Sequence, residues 1–501
     1  MQLSIFADVE EIQKSFQDIQ YLVTTANLLV VEIFGYVYFL VHILGIALAI
    51  NAVMKGRTTQ GSIAWSISLV TFPFVAIPLY LLFGARKFYG YIEARREGDY
   101  AISKLGLSIR ELLTPYQVTG EESYLLQELK SLANLPALRG NEIQLLKNGE
   151  EFYPSLFAEL SKAKYSIVIQ FYILRHDEVG GQLKDILKEK AEKGLNVYLL
   201  YDEIGSYDLS QIYLDDLTQS GVKCSSFRSS LGGRVRRFQV NFRNHRKIVV
   251  IDGETAFVGG HNVGREYLGR DSFYGYWRDT HAKFRGPIVK PIQLAFLEDW
   301  YWACDEVPHL MWENIEEAGE VNSLCVPSGP SDYLETCGLF FMSLLGQAKK
   351  RIWIASPYFV PDQKIIASLS LAVKRGVDVR ILLPQKKDAW LIHNAGHSFV
   401  EECVQHGVKF YRYLPGIMHQ KVSLIDDDMT VIGTANFDNR SFNLNFEISI
   451  FSISKDLADQ VEEMLLDDFS HCREVQQGEF DSFPFHWRFI YKVASLFSPI
   501  L

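Results

Sequence analysis

A histidine with a lysine two residues on, followed by the same companions at the same distances, occurs twice in this 501-residue chain, at His245-Arg246-Lys247 and at His419-Gln420-Lys421. Asp252 and Asp426 lie five residues after their lysines; Asn262 and Asn436 lie seventeen after their histidines, behind Gly259-Gly260 and Gly433-Thr434. One His-x-Lys arises by chance, but a duplicated set with identical spacing argues for one shared site. The residue types suit phosphodiester chemistry. Lys247, Lys421, Asn262 and Asn436 offer cationic and amide donors to the equatorial oxygens of a phosphoryl group. The small residues, with Gly260 and Thr434 at matched positions, let backbone approach it closely. Two imidazoles can then divide the work, one attacking and one protonating the leaving oxygen. No Asp-rich cluster accompanies them, so the lysines take the part of a divalent cation, and neither metal nor cofactor is expected. On a strand, residues two apart share a face, which sets each His beside its Lys and turns Arg246 and Gln420 away. Asp252 and Asp426 trail on the same strand, where structural service outweighs direct chemistry.

The elements that must position these residues are themselves repeated. AKYSIVIQFYIL from Ala163 parallels AKKRIWIASPYFVP from Ala348, AEKGLNVYLLYDEIGS from Ala191 parallels AVKRGVDVRILLPQKKD from Ala372, and SGVKCSSFR from Ser220 parallels HGVKFYRYL from His406. Short β-branched strands alternate with stretches of helical period, so each copy reads β-α-β-α-β: an α/β fold of two pseudo-symmetric halves, each a mixed or parallel sheet flanked by helices. The halves are expected over 141–322 and 323–501, after a linker over 86–140.

Net charge is −10, from 50 Lys+Arg against 60 Asp+Glu, so bulk charge does not draw the chain to nucleic acid or anionic lipid. Six dispersed cysteines without a CxxC indicate neither zinc nor a disulfide framework. The apolar residues concentrate near the N-terminus. Leu28–Met54 carries only Glu32 as a formal charge and Thr58–Ala85 carries none. Each exceeds the roughly 20 residues that cross a bilayer as a helix, so a two-helix transmembrane hairpin is expected over 28–85, behind an acidic segment over 1–27. Pro73 and Pro78 predict kinks in the second helix, and Trp65 and Tyr80 suit the two interfaces. Arg86, Lys87, Arg95 and Arg96 outnumber Lys55 and Arg57, which places the rest of the chain in the cytoplasm.

With these motifs in view, the sequence resembles the phospholipase D superfamily, whose HxKxxxxD followed by GSxN is matched twice, and within it the bacterial cardiolipin synthases. PLYLLFG, FYILRHDEVG, LLYDEIGS, YWRDTHAKFRGP, NFDNRSFNLNFE and the terminal FSPIL carry the narrower likeness. Gly260 and Thr434 replace the usual Ser of GSxN. The resemblance implies a multi-pass enzyme of the bacterial inner membrane that joins two phosphatidylglycerols into cardiolipin through a phosphatidyl-histidine. It implies His245 as the nucleophile, and Asp279 and Glu447 as the carboxylates that orient the histidines. Phosphatidylglycerol, cardiolipin and the bilayer are the partners, nucleic acid is not, and a homo-oligomer is open. A phospholipase D or other headgroup-exchange enzyme would use the same site; a nuclease or a non-catalytic lipid scaffold is disfavoured.

Two features fall outside the motifs. Lys223 lies 22 residues before His245 but Lys409 only 10 before His419, so the first half holds an insertion with Arg234, Arg236 and Arg237, inside a stretch Leu217–Ile251 of eight Lys/Arg and no acid. Arginine suits bidentate phosphate contacts, and the loop is expected to recognise lipid phosphate. The C-terminal HWRFIYKVASLFSPIL reads equally as an interfacial helix or a core-packed one.

Overall fold

The computed structural model describes residues 2–56, 58–84, 99–119, 124–227 and 241–501, in two compact units, Met1–Arg86 and Lys87–Leu501. Arg57, the basic residues after Gly84 and the whole Arg234–Arg237 cluster lie outside the described residues.

In the first unit α1 (Gln2–Lys55) is one unbroken helix. Its segment Lys14–Lys55 reaches a mean hydropathy of 2.2 and is long and apolar enough to cross a membrane. Two short helices follow, α2 (Thr59–Thr71) and α3 (Pro73–Phe83). Thr58 caps α2 by accepting from the Gly61 N–H at 3.0 Å. The chain leaves helical geometry at Phe72 (φ −131°, ψ 54°), because Pro73 has no N–H and its ring disfavours helix in the residue before it. Pro78 stays inside α3. The helix α2 runs back along α1, where Gly45 permits close approach: a Cβ there would meet the Leu69 carbonyl oxygen at 2.4 Å. Then α3 reverses again. Phe74 lies 5.9 Å from Tyr38, while Tyr80 lies 5.3 Å from Trp65 and its hydroxyl donates to Asn51 at 3.0 Å. This corrects the expectation of a second crossing helix: the second apolar span is two helices of 13 and 11 residues folded on each other. Trp65 and Tyr80, expected at opposite interfaces, touch.

The second unit holds both repeats on one sheet. The first half supplies β1 (Leu138–Lys147), β2 (Ser166–Phe171), β3 (Asn196–Asp202), β4 (Lys223–Phe227), β5 (Arg243–Asn244), β6 (Ile248–Ile251), β7 (Thr255–Gly259), β8 (Tyr276–Arg278) and β9 (Thr280–Arg285). The second supplies β10 (Val321–Ser328), β11 (Arg351–Ala355), β12 (Phe359–Val360), β13 (Asp378–Pro384), β14 (Lys409–Tyr413), β15 (Gly416–Met418), β16 (Val422–Ile425), β17 (Met429–Gly433), β18 (Phe437–Asp438), β19 (Asn445–Ile453) and β20 (Cys472–Glu474). The order β20-β14-β13-β11-β16-β17-β19-β10-β1-β9-β7-β6-β2-β3-β4 repeats outwards from the antiparallel pair β1–β10, with β20 added at one edge. Pairing is parallel among β2, β3 and β4, and among β11, β13 and β14, and antiparallel through the middle.

Helices cover both faces, as the near-continuous apolar strands require. On one face of the first half Ile167, Ile169 and Leu199 pack with Phe152, Leu183 and Leu217. On the other, Tyr198 meets Trp300 of helix Val289–Cys304 at 5.1 Å. In the second half Ile352, Ile354 and Ile381 pack with Phe340 and Leu369, and Trp353 meets Phe469 of helix Lys455–Ser470 across the other face. Leu125, Leu126 and Leu129, within the span read as linker, join this second-half core.

Candidate active site

Two very short strands cross from one half to the other. β5 pairs with the head of β19 (Arg243↔Asn445, Asn244↔Phe446), and β15 pairs with β8 (Ile417↔Trp277, Met418↔Arg278). Each leads into a histidine. The His245 N–H donates to the Phe446 carbonyl at 2.9 Å and the His419 N–H to the Arg278 carbonyl at 2.8 Å. Each imidazole is therefore delivered to the carboxylate of the opposite half. His245 Nδ1 lies 2.9 and 3.0 Å from the two oxygens of Glu447, and His419 Nδ1 lies 2.8 Å from Asp279 Oδ2. A carboxylate at Nδ1 draws the proton to that nitrogen and leaves Nε2 free.

The carboxylates are themselves held. Glu447 accepts from Thr434 Oγ1 (2.6 Å), Ser441 Oγ (2.9 Å) and Asn445 Nδ2 (3.2 Å); Asp279 accepts from the Thr280 N–H (2.8 Å). Burial by itself would raise both, but His245 and Lys247 pull Glu447 below its usual range, and His261, His419 and Lys421 pull Asp279 lower still. Both are anions at neutral pH. Burial lowers the imidazoles, His245 to about 4, against the opposing pull of Glu447. His419 is lowered likewise, against Asp279.

Lys247 and Lys421 are buried beside their histidines, and Lys247 Nζ donates to the His245 carbonyl at 2.7 Å. Burial is the main cause that lowers Lys247 to about 7 and Lys421 to about 8. Both must be ammonium to attract a phosphodiester. We expect kcat/KM for an anionic phospholipid to fall as pH rises through these values, because that parameter reports the free enzyme. Once bound, the anion raises both lysines, so kcat holds to higher pH. A pH–rate series in mixed micelles checks this, and a kcat/KM flat from about pH 6 to 9 would contradict it.

The residue between each His and Lys turns away, although both triplets, His245–Lys247 and His419–Lys421, lie between strands rather than within one. Arg246 pairs with Asp299 at 3.0 Å, and Gln420 donates to Asp468 at 2.8 Å, which also receives Arg278 at 2.6 and 2.8 Å. Asp252 and Asp426 are remote from the histidines. Each sits at positive φ (54° and 52°) just after its strand. Asp252 accepts from the N–H groups of Lys164, Tyr165 and Ser166 at 2.8–2.9 Å, and Asp426 from those of Lys349, Lys350 and Arg351. They clasp the start of β2 and β11 and do not line the cavity that holds the histidines, so the direct chemistry weighed for them beside structural service, as members of the repeated catalytic motif, is set aside. We expect Asp252→Ala to cost about 2–3 kcal/mol through orphaned N–H groups, lowering the thermal midpoint while kcat per folded molecule is unchanged. A loss of kcat without loss of stability would reverse this reading.

A cavity of about 250 Å³ collects the rest, lined by His245, His419, Asn262 and Asn436. Asn262 is engaged by the Ile173 N–H (3.0 Å) and the Tyr267 hydroxyl (3.0 Å), whereas Asn436 Oδ1 is buried without a partner. Gly260 and Thr434, expected to bind phosphate, do not line the cavity. The Thr434 hydroxyl is committed to Glu447, and a Cβ on Gly260 would stand 1.9 Å from Asp279 Oδ1, so this position faces the carboxylate. Sequence reasoning missed Arg243, Arg440, Tyr172 and Tyr358 in the cavity wall. The tyrosines follow the aligned strands β2 and β11, a signal in the repeat. Arg440 is clamped to the C-terminus, donating to the Ile500 carbonyl at 3.1 Å, and no local pattern marks that.

Comparison with known proteins agrees with this geometry. The family described as "Cardiolipin synthase, PLD-like domain" matches residues 156–273 and 341–468, one stretch in each half. The chain is 43% identical over 475 residues to cardiolipin synthase A of Pseudomonas putida strain GB-1, covering 93% of this chain and 98% of the relative. The chain belongs to the cardiolipin synthase family. Membership extends to the same protein of Pseudomonas fluorescens strain SBW25, 44% identical over 92% of this chain and 97% of that one. Among solved structures, phosphatidylserine synthase of Haemophilus influenzae Rd KW20 shares the fold, with a TM-score of 0.59 at 17% identity over 76% of this chain and 100% of the other. The two stretches that match the family model fall one in each half of the shared sheet, and each carries one of the two histidines on the cavity.

Proposed function

We propose that the chain transfers a phosphatidyl group from one phosphatidylglycerol to a second, producing cardiolipin and glycerol. The observation that carries this is the pair of imidazoles on one cavity, each bound through Nδ1 to a carboxylate of the other half. The bound phosphodiester anion and Asp279 together raise His419, so that it takes a proton on Nε2 from solvent; in the first step His245 Nε2 attacks phosphorus, the bond to the glycerol oxygen breaks, and His419 Nε2 gives that oxygen its proton. In the second, a glycerol hydroxyl of another phosphatidylglycerol returns a proton to His419 while its oxygen attacks phosphorus and releases His245. Lys247 and Lys421 stabilise the charge that builds on the equatorial oxygens. The two-oxygen contact of Glu447 supports His245 as nucleophile, since it best stabilises the cation formed on attack. Arg234, Arg236 and Arg237 join the reading as a loop that recognises lipid phosphate.

For the membrane unit we propose α1 as the single crossing helix and α2–α3 as a re-entrant pair. Because α3 returns to the level of Asn51, Lys55 and the end of α3 at Phe83 fall on one side; the sequence sets Arg86, Lys87, Arg95 and Arg96 soon after that end, and the positive-inside rule makes that side cytoplasmic. The catalytic unit then works on the cytoplasmic face of the bacterial inner membrane.

The test is purified full-length protein with phosphatidylglycerol as its only lipid. Cardiolipin and glycerol in equal amounts are expected; phosphatidic acid without cardiolipin would make the chain a hydrolase. As the lysines supply the positive charge, we expect the same yield in excess EDTA. Loss of activity that Mg²⁺ restores would refute that part.

A further inference from the structure

A second cavity of about 250 Å³ lies beside the first, lined by His393, His397, Arg412, Arg473, Trp487 and Tyr491 among others. The start of helix Trp390–Gln405 divides the two: Ile392 lines the reactive cavity and His393 the second. Arg412, on β14, is only 6% exposed. Its one hydrogen bond among the described residues goes to the Pro384 carbonyl at 3.3 Å. The acid that lines this cavity, Glu479, is taken by Arg473 at 2.7 and 3.0 Å. Burial lowers Arg412 to about 10, still a cation at neutral pH. Glu479 also attracts Arg412 electrostatically, but no carboxylate among the described residues hydrogen-bonds its guanidinium, and a buried cation so weakly paired gains from an arriving anion.

The surroundings define that anion. His393 and His397 are lowered by burial and then by Arg412, so they are neutral and can donate an N–H. His397 stacks on Tyr491 at 4.4 Å, and its Nδ1 is buried without a partner. Lys387 adds a cation at the exposed mouth. This donor set suits a phosphodiester monoanion. The rim is apolar: helix Phe485–Ser495 buries Ala494 with Val360 and Ala395, but leaves Phe485 81% and Phe489 60% exposed, and Leu496, just past its end, is 76% exposed. The inner face of this helix packs into the core, and the outward face has the composition of an interfacial helix.

We propose that this cavity is a second, non-reacting site for an anionic phospholipid, with the phosphodiester on Arg412, Lys387 and the two imidazoles and the acyl chains along the exposed face of helix Phe485–Ser495. The proposal rests on the catalytic unit working at a bilayer, and on no step of the reaction. It is tested by hydrogen exchange on the full chain carrying His245→Ala, so that lipid is not consumed, in nanodiscs of phosphatidylcholine with or without phosphatidylglycerol. Phosphatidylglycerol is expected to slow exchange in the 387–397 and 473–491 segments. Adding Arg412→Gln should raise the phosphatidylglycerol needed for half protection about tenfold, and Arg412→Lys should restore most of it. His393→Ala, which spares the buried guanidinium, should weaken protection in the same direction if Arg412→Gln does not fold. Equal protection in both lipids, or protection indifferent to Arg412→Gln and His393→Ala, would overturn the site. So would equal protection by inorganic phosphate in phosphatidylcholine discs, which would mark a free-phosphate site. The readout is independent of synthesis, so a chain that shows this protection and makes no cardiolipin would fault the reaction and leave the site standing.

Discussion

His245→Ala and His419→Ala are each expected to lower kcat by about four orders of magnitude or more, because nucleophile and proton donor act as one unit and losing either removes nearly all the chemistry. The double variant should be scarcely worse than either single one. The variants part company at the intermediate. With a phosphatidylglycerol analogue whose leaving alcohol needs no protonation, His419→Ala should still form a phosphorus–nitrogen adduct that mass spectrometry detects on His245. His245→Ala should form none. An adduct on His419 in His245→Ala, with none in the reverse case, would exchange the roles. Activity surviving both single substitutions would end the covalent mechanism.

The second large effect belongs to the crossed carboxylates. Glu447→Gln and Asp279→Asn leave shape and hydrogen bonding nearly intact but remove the charge that fixes each imidazole's tautomer. By analogy with the effect of such an amide in a Ser-His-Asp triad, a loss of about 10³–10⁴ in kcat is expected with little change in KM. A merely structural role predicts a fall in stability instead, so the kcat–KM split and the thermal midpoint together decide. Because the contacts cross, Glu447→Gln should abolish the adduct on His245, which lies 202 residues away in sequence. If Glu447→Gln left the His245 adduct untouched while Asp279→Asn removed it, the pairing seen here would not be the working one.

The duplicated spacing of His, Lys, Asp and Asn settled much of this by itself. Equal spacing in two copies requires equal local geometry, so one fold repeated and one composite site follow from the chain, as does the turning away of Arg246 and Gln420, although the triplets that hold them lie between strands. Apolar β-branched strands with helical stretches between them likewise specify a sheet covered on both faces, since neither face can be left in water.

What required the tertiary structure is whatever depends on contacts between distant segments. Spacing says nothing of whether a carboxylate serves its own half or the other; the exchange of β5 and β15 across the pseudo-dyad decided that. Nor could composition tell one long helix over the second apolar span from two short ones, since hydropathy counts apolar residues and is blind to the direction the chain takes after Pro73. Asp252 and Asp426 share the motif's spacing with the histidines, yet their left-handed backbone turns them to the N–H groups at the start of β2 and β11. Gly260 and Thr434 share the motif as well, but face the carboxylates rather than the cavity. Arg412 carries no motif at all, and its burial beside His393 and His397 exists only once β14, Trp390–Gln405 and Phe485–Ser495 have packed together.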